Sequence, residues 1–153
     1  MPKFQDIPQF KIANYEVDQP WNNIEKWMES ALVDMDPDFQ RGHVWTNEQR
    51  VKYVEFCLRG GQGASDIRWN CADWGESYGE PTVIVDGKQR ITAVLMFLHD
   101  EIPAFGHFFS EYEDKMLGLG RNCHFRIHVN NLKTRAEVIE WYLELNSAGT
   151  PHT

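Results

Sequence analysis

The chain has 153 residues, enough for one well-buried core but not for two. Its 15 Lys and Arg against 23 Asp and Glu leave a net charge of −8, which excludes a uniformly basic nucleic-acid coat but leaves room for a local basic pocket. A hydrophobic share of 42% with 25% charged residues excludes a disordered or low-complexity chain.

No apolar run approaches the roughly 20 residues of a membrane span. The opening MPKFQDIPQF lacks the apolar core of a signal peptide. The sequence therefore predicts a soluble, cytoplasmic protein with no membrane partner. Cys57, Cys71 and Cys123 are an odd set at irregular spacing without a C-x-x-C, which predicts neither a disulfide framework nor a zinc site. No repeat, linker or charge block divides the chain, so a single domain over residues 1–153 is expected.

Gln9 to Val17 reads as an extended segment. After Pro20, the apolar positions Trp21, Ile24, Trp27, Met28 and Leu32 follow helical spacing, and the Asp34–Asp38 stretch with Pro37 breaks it. Thr46 opens a second helix through a T-x-x-Q capping box with Gln49, and Val51, Val54 and Leu58 form its predicted buried stripe. Gly60, Gly61 and Gly63 end that helix and read as a hinge. Ile67 and Trp69 suggest a short strand. Thr82 to Asp86 is a β-branched run that stops at Gly87, and Ile91, Val94, Leu95 and Leu98 predict a helix over 88–98. The Pro103–Gly120 region is aromatic and irregular. Cys123 to Val129 alternates, with Phe125, Ile127 and Val129 on one face and His124, Arg126 and His128 on the other. Thr134 and Glu137 form another capping box, opening a helix through Val138, Trp141, Tyr142 and Leu145 that ends near Asn146–Gly149. Short strands mixed with ordinary helices indicate a compact α+β domain: a small mixed sheet with packed helices.

The sharpest chemical feature is T-V-I-V-D-G-K-Q-R-I-T, residues 82–92. A strand that runs straight into a helix gathers free backbone N–H groups, the positive helix end, Lys88 and Arg90 at one point, which suits phosphate. Asp86 there either holds a metal bridging phosphate oxygens or caps the turn. The bland reading is an ordinary strand–turn–helix junction with solvated charges. D-P-D-F-Q-R-G-H-V-W, residues 36–45, puts aromatics, an amide and Arg41 in one loop that suits a base or phosphate. Trp45 itself sits where a hydrophobic staple is expected. On the His124–Arg126–His128 face a cation separates the histidines and no ligand set completes them, so a solvated sheet face is expected. His43, His99 and His107 show no constellation, and no Walker loop, H-E-x-x-H or G-x-S-x-G is present.

F-Q-R-x-x-V-W at 39–45, V-D-G-K-Q-R-I-T at 85–92 and L-N-S-A-G-T-P at 145–151, in that order, resemble the N-terminal domain of GmrSD-type modification-dependent restriction endonucleases, grouped with the ParB/sulfiredoxin-like superfamily. The resemblance runs from about Tyr15 to Thr153. The family's central motif is usually D-G-Q-Q-R, and Lys88 here replaces the first Gln, adding a cation beside the implied phosphates. In the closing motif Ala148 stands where a second glycine is common. The resemblance implies a ParB/sulfiredoxin-like fold and a nucleotide, an NTP with Mg2+ as the ion that could accompany it. Its hydrolysis would control DNA cleavage in restriction, modification or phage–host conflict.

Carried over residue by residue, the resemblance makes Asp86, Arg90 and Arg41 the catalytic set. Gly87, Lys88, Gln89, Thr92, Gln40 and Asn146 become the nucleotide contacts, with Ser147, Gly149 and Thr150 completing the last motif. These residues hold no paired His/Asn/Asp motif of an HNH-like nuclease, so DNA cutting would need a partner. Three readings follow: an NTP hydrolase or phosphotransferase linked to DNA; a DNA-binding module that recognises a modified or flipped base; and a non-enzymatic protein that docks on a nuclease or defence system.

Overall fold

The computed structural model describes residues 2–8, 15–30, 33–34, 44–61, 63, 65–71, 82–114 and 123–148, with backbone only at Tyr15, Asp34 and 146–148. The strands are β1 (Tyr15–Pro20), β2 (Val33–Asp34), β3 (Asp66–Asn70), β4 (Thr82–Asp86) and β5 (His124–Asn130). The helices among the described residues are α1 (Trp21–Ser30), α2 (Asn47–Leu58), α3 (Lys88–Leu98) and α4 (Arg135–Ala148), with short 3-10 turns at Phe4–Asp6 and Phe109–Glu111. This is a small α+β domain.

The sheet runs β1-β5-β3-β4-β2. β1 pairs antiparallel with β5, β5 parallel with β3, β3 antiparallel with β4, and β4 parallel with the two-residue edge strand β2. One sheet face is apolar by strict alternation. Ile67 and Trp69 of β3, Ile84 of β4, and Phe125, Ile127 and Val129 of β5 are buried against Trp21, Ile24 and Met28 of α1, Tyr53, Val54 and Cys57 of α2, and Ile91, Val94 and Phe97 of α3. Each such side chain contributes about 1.5–3 kcal/mol through removal from water. A second cluster of Val85, Leu132 and Val138, with Trp141, Tyr142 and Leu145 against it, seats α4. Asn70 stitches the approach to α4. Its side-chain amide donates to Leu132 O (3.0 Å), and Leu132 N donates to its Oδ1 (2.9 Å), so a buried polar side chain is satisfied at both ends.

Both predicted capping boxes form. Gln49 N donates to Thr46 Oγ1 (3.2 Å) and Thr46 N to Gln49 Oε1 (2.8 Å). Glu137 N donates to Thr134 Oγ1 (3.2 Å) and Thr134 N to Glu137 Oε1 (3.3 Å). The strand over 82–86 and the helix over 88–98 lie where the sequence puts them.

Other expectations shift. The first helix ends at Ser30, and Asp34, read as the start of a helix break, joins Val33 in a two-residue strand paired with β4. Gln9–Asn14 and Leu32 lie outside the described residues. The buried stripe of α2 is Tyr53, Val54 and Cys57, with Val51 and Leu58 only partly buried. Trp45, in the staple position before the Thr46 cap, packs onto α2 through Tyr53 at a ring distance of 5.4 Å. All three cysteines are buried and unbridged.

Candidate functional site at the junction of β4 and α3

β4 contains a bulge that re-aims its end. Arg68 pairs with Asp86 while its neighbour Trp69 pairs with Ile84, so Val85 is an extra residue in the ladder. Plain alternation would put Ile84 and Asp86 on the same face. The bulge sends Ile84 into the main core, buries Val85 in the second cluster, and brings Asp86 to Arg68, whose Nη1 lies 3.2 Å from Asp86 Oδ2.

The next residue has to be glycine. Gly87 has φ +107°, and a Cβ there would run into the Ile67 side chain and lie 3.3 Å from Ile67 Cα. α3 starts at once, and Gly87 at its N-cap has no side chain to cap it. Lys88, Gln89 and Arg90 occupy the first turn, all half-buried.

Three side chains of this helix start, Arg90, Gln89 and Thr92, have defined partners. Arg90 Nη1 donates to the Asp66 carbonyl (2.9 Å), a bond that uses one of the five guanidinium donors. Gln89 Oε1 accepts from Trp45 N (3.1 Å). The amide assigned to nucleotide contact thus anchors Trp45, the last residue of the F-Q-R-x-x-V-W motif, to α3. Thr92 Oγ1 donates to Lys88 O (2.8 Å), a bond back into its own helix rather than one facing a ligand.

A second polar group adjoins the junction through Asp66. Its Oδ1 lies 2.8 Å from His128 Nε2, and His128 Nδ1 lies 3.4 Å from Glu16 Oε1 on β1. The bond to His128 holds the Asp66 carboxyl below its ordinary value. Burial opposes this, and the charges of His128, Arg68 and Arg90 reinforce it. Next along the face, Arg126 Nε lies 3.2 Å from Asp18 Oδ1. The histidine face expected to be merely solvated is thus an ion-paired face spanning four strands. His99 and His107, which form no constellation in the sequence, pair singly with Glu25 (2.8 Å) and Glu111 (3.0 Å). On the core side, burial raises the Tyr53 phenol and the Cys57 thiol, and the Arg90 charge works against both shifts.

Asp86, Gly87, Lys88, Gln89, Arg90 and Thr92 therefore meet within one strand end and one helical turn. Gln40 and Arg41 lie outside the described residues, as do Gly149 and Thr150. Asn146 belongs to the last turn of α4, described by its backbone alone. Sequence reasoning missed Asp66, Arg68 and His128 as a connected set. The alternation D-I-R-W-N already placed Asp66 and Arg68 together, opposite Ile67 and Trp69.

Among the described residues no group of three or more His, Cys, Asp and Glu is arranged to hold a metal. Asp86 faces the Arg68 guanidinium, and no step below depends on a metal. No helix among the described residues is long and apolar enough to cross a membrane. Comparison of the chain with protein-family models, curated proteins and solved structures finds no match.

Proposed function

We propose that the chain binds the phosphates of a nucleoside triphosphate where β4 runs into α3. We place it with the ParB/sulfiredoxin-like domains of GmrSD-type systems, where such binding and turnover would serve DNA restriction, modification or phage–host conflict. The observation that carries this reading is the Trp45–Gln89 hydrogen bond, which joins the end of the first motif to the middle of the second, 44 positions apart. With it, Trp45 is held against the turn that carries Lys88, Arg90 and the first N–H groups of α3. Fixed dipoles and cations converging on one point stabilise phosphate charge without rearrangement. Arg68 neutralises Asp86, so the carboxylate does not repel the incoming anion.

The same ion pair favours a second reading, binding without turnover. Asp86 Oδ2 already accepts from Arg68 Nη1 (3.2 Å), so this oxygen is engaged across the sheet and not in orienting a reacting water. The chain would then act as a nucleotide-sensing or DNA-contacting module that docks on a nuclease or defence-system protein.

Calorimetric titration with each NTP and with short duplex DNA, paired with phosphate-release assays, separates these readings. Arg90→Ala should weaken NTP binding roughly 10- to 100-fold, since a charge-assisted bond contributes about 1.5–3 kcal/mol. Arg41→Ala should weaken it comparably. Binding without phosphate release or transfer to DNA selects the second reading. If the wild-type chain binds no NTP, both nucleotide readings fail.

A further inference from the structure

We propose that the turn from Phe105 to Phe108, at the opposite end of α3 from the candidate phosphate site, is a docking tip for a basic protein surface containing an apolar pocket. Ala104 and His107 exchange backbone hydrogen bonds (2.9 and 3.1 Å), with Phe105 and Gly106 between them at φ +52° and +78°. Glycine and asparagine suit such a turn, and a phenylalanine in the left-handed region is strained. The strain is held in place from two sides. Phe105 N donates to Glu55 Oε2 on α2 (2.7 Å), and Tyr112 Oη donates to Ala104 O (2.7 Å).

The packing of Phe105 does not account for this conformation. Phe105 is 51% exposed and Phe108 39% exposed, while neighbouring Ile102 and Ala104 are buried. A rigid turn thus presents two aromatic rings to solvent, the arrangement of an interface anchor that loses little freedom on binding.

The surrounding charge selects the partner. Glu111 Oε1 accepts from Phe108 N (3.2 Å) and Asp100 Oδ1 from Ser110 N (3.0 Å), within a stretch, residues 91–114, that has five carboxylates and no Lys or Arg. Glu55 adds another beside Phe105. Phosphate backbones and anionic lipid surfaces are repelled by such a rim, whereas Lys and Arg around an apolar pocket complement it.

The test uses random short peptides displayed on phage, selected on the wild-type chain and counter-selected on Phe105→Gly. Glycine suits φ +52°, so the variant should melt no lower than wild type. Should it fail to fold, Phe108→Ser replaces it. The expected result is enrichment of peptides that combine Lys or Arg with apolar anchors. They should bind wild type at least about tenfold more tightly than the variant, the scale of one lost aromatic anchor, and more weakly in added salt. Enrichment of uncharged or acidic peptides, equal binding to both proteins, or no enrichment overturns the proposal. So does a dimer in sedimentation, or duplex-DNA binding, that the substitution abolishes.

Discussion

His128 Nε2 lies 2.8 Å from Asp66 Oδ1, a contact between parallel neighbours β5 and β3 that joins residues 62 positions apart. With Glu16 beside the other ring nitrogen, one imidazole spans three strands. The Asp66 carboxyl is held below its ordinary value by this contact. A carboxyl lowered in the folded state stabilises the fold above its unfolded value, and that contribution disappears as pH falls through the folded value. The affected window thus opens near pH 4 and extends downward. Thermal melting of wild type and Asp66→Asn across this range should show a stability gap that is full at pH 6 and closes in acid. A gap that stays constant with pH would falsify the assignment.

Gly87→Ala should destabilise the fold by at least about 1–3 kcal/mol, the cost of a residue held in a disfavoured backbone region, with the Ile67 clash added. Urea denaturation measures it. A loss under about 0.5 kcal/mol would mean that the turn relaxes into ordinary backbone geometry.

Gln89→Ala removes the acceptor for Trp45 N and should cost about 1 kcal/mol, the lower end for a half-buried donor. Amide exchange at Trp45 should accelerate, and Gln89→Glu, which keeps an acceptor oxygen, should restore protection. Unchanged exchange in Gln89→Ala would show that this bond does not hold the loop end.

Asp86→Asn leaves Arg68 without its carboxylate and should lower the melting temperature, by the equivalent of about 1 kcal/mol for a half-buried pair. If the junction binds phosphate, inorganic phosphate or an NTP should restore more stability to this variant than to wild type, because the ligand replaces the lost charge. Equal stabilisation of both proteins argues against an anion beside Arg68.

Local signals in the sequence carried much of the fold. The Thr46–Gln49 and Thr134–Glu137 capping boxes each span one helical turn, and the run from Thr82 into Leu98 announces a strand and a helix through side-chain size and period. Less was legible where the outcome depends on register. Whether Asp86 faces Arg68 is decided by the bulge at Val85, and nothing in T-V-I-V-D marks that insertion. The Val33–Asp34 strand is too short for any periodicity and exists through its neighbour Thr82–Val83. The Asp66–His128 and Arg126–Asp18 pairs depend on which strands lie side by side, information spread over 62 and 108 positions.

The strand order also bears on how the fold is reached. β5 follows the other strands in the chain, yet it lies between β1 and β3. Until residues 124–130 emerge from the ribosome, β3 has an open edge and Ile67 and Trp69 lack their β5 neighbours. The central seam therefore closes late, across a loop of more than a hundred positions, as Asp18 meeting Arg126 shows. Long-range closure of this kind slows folding far more than it weakens the finished sheet. In the interval, the charges of Asp66 and Arg68 line the unpaired edge and discourage the wrong strand from adding there.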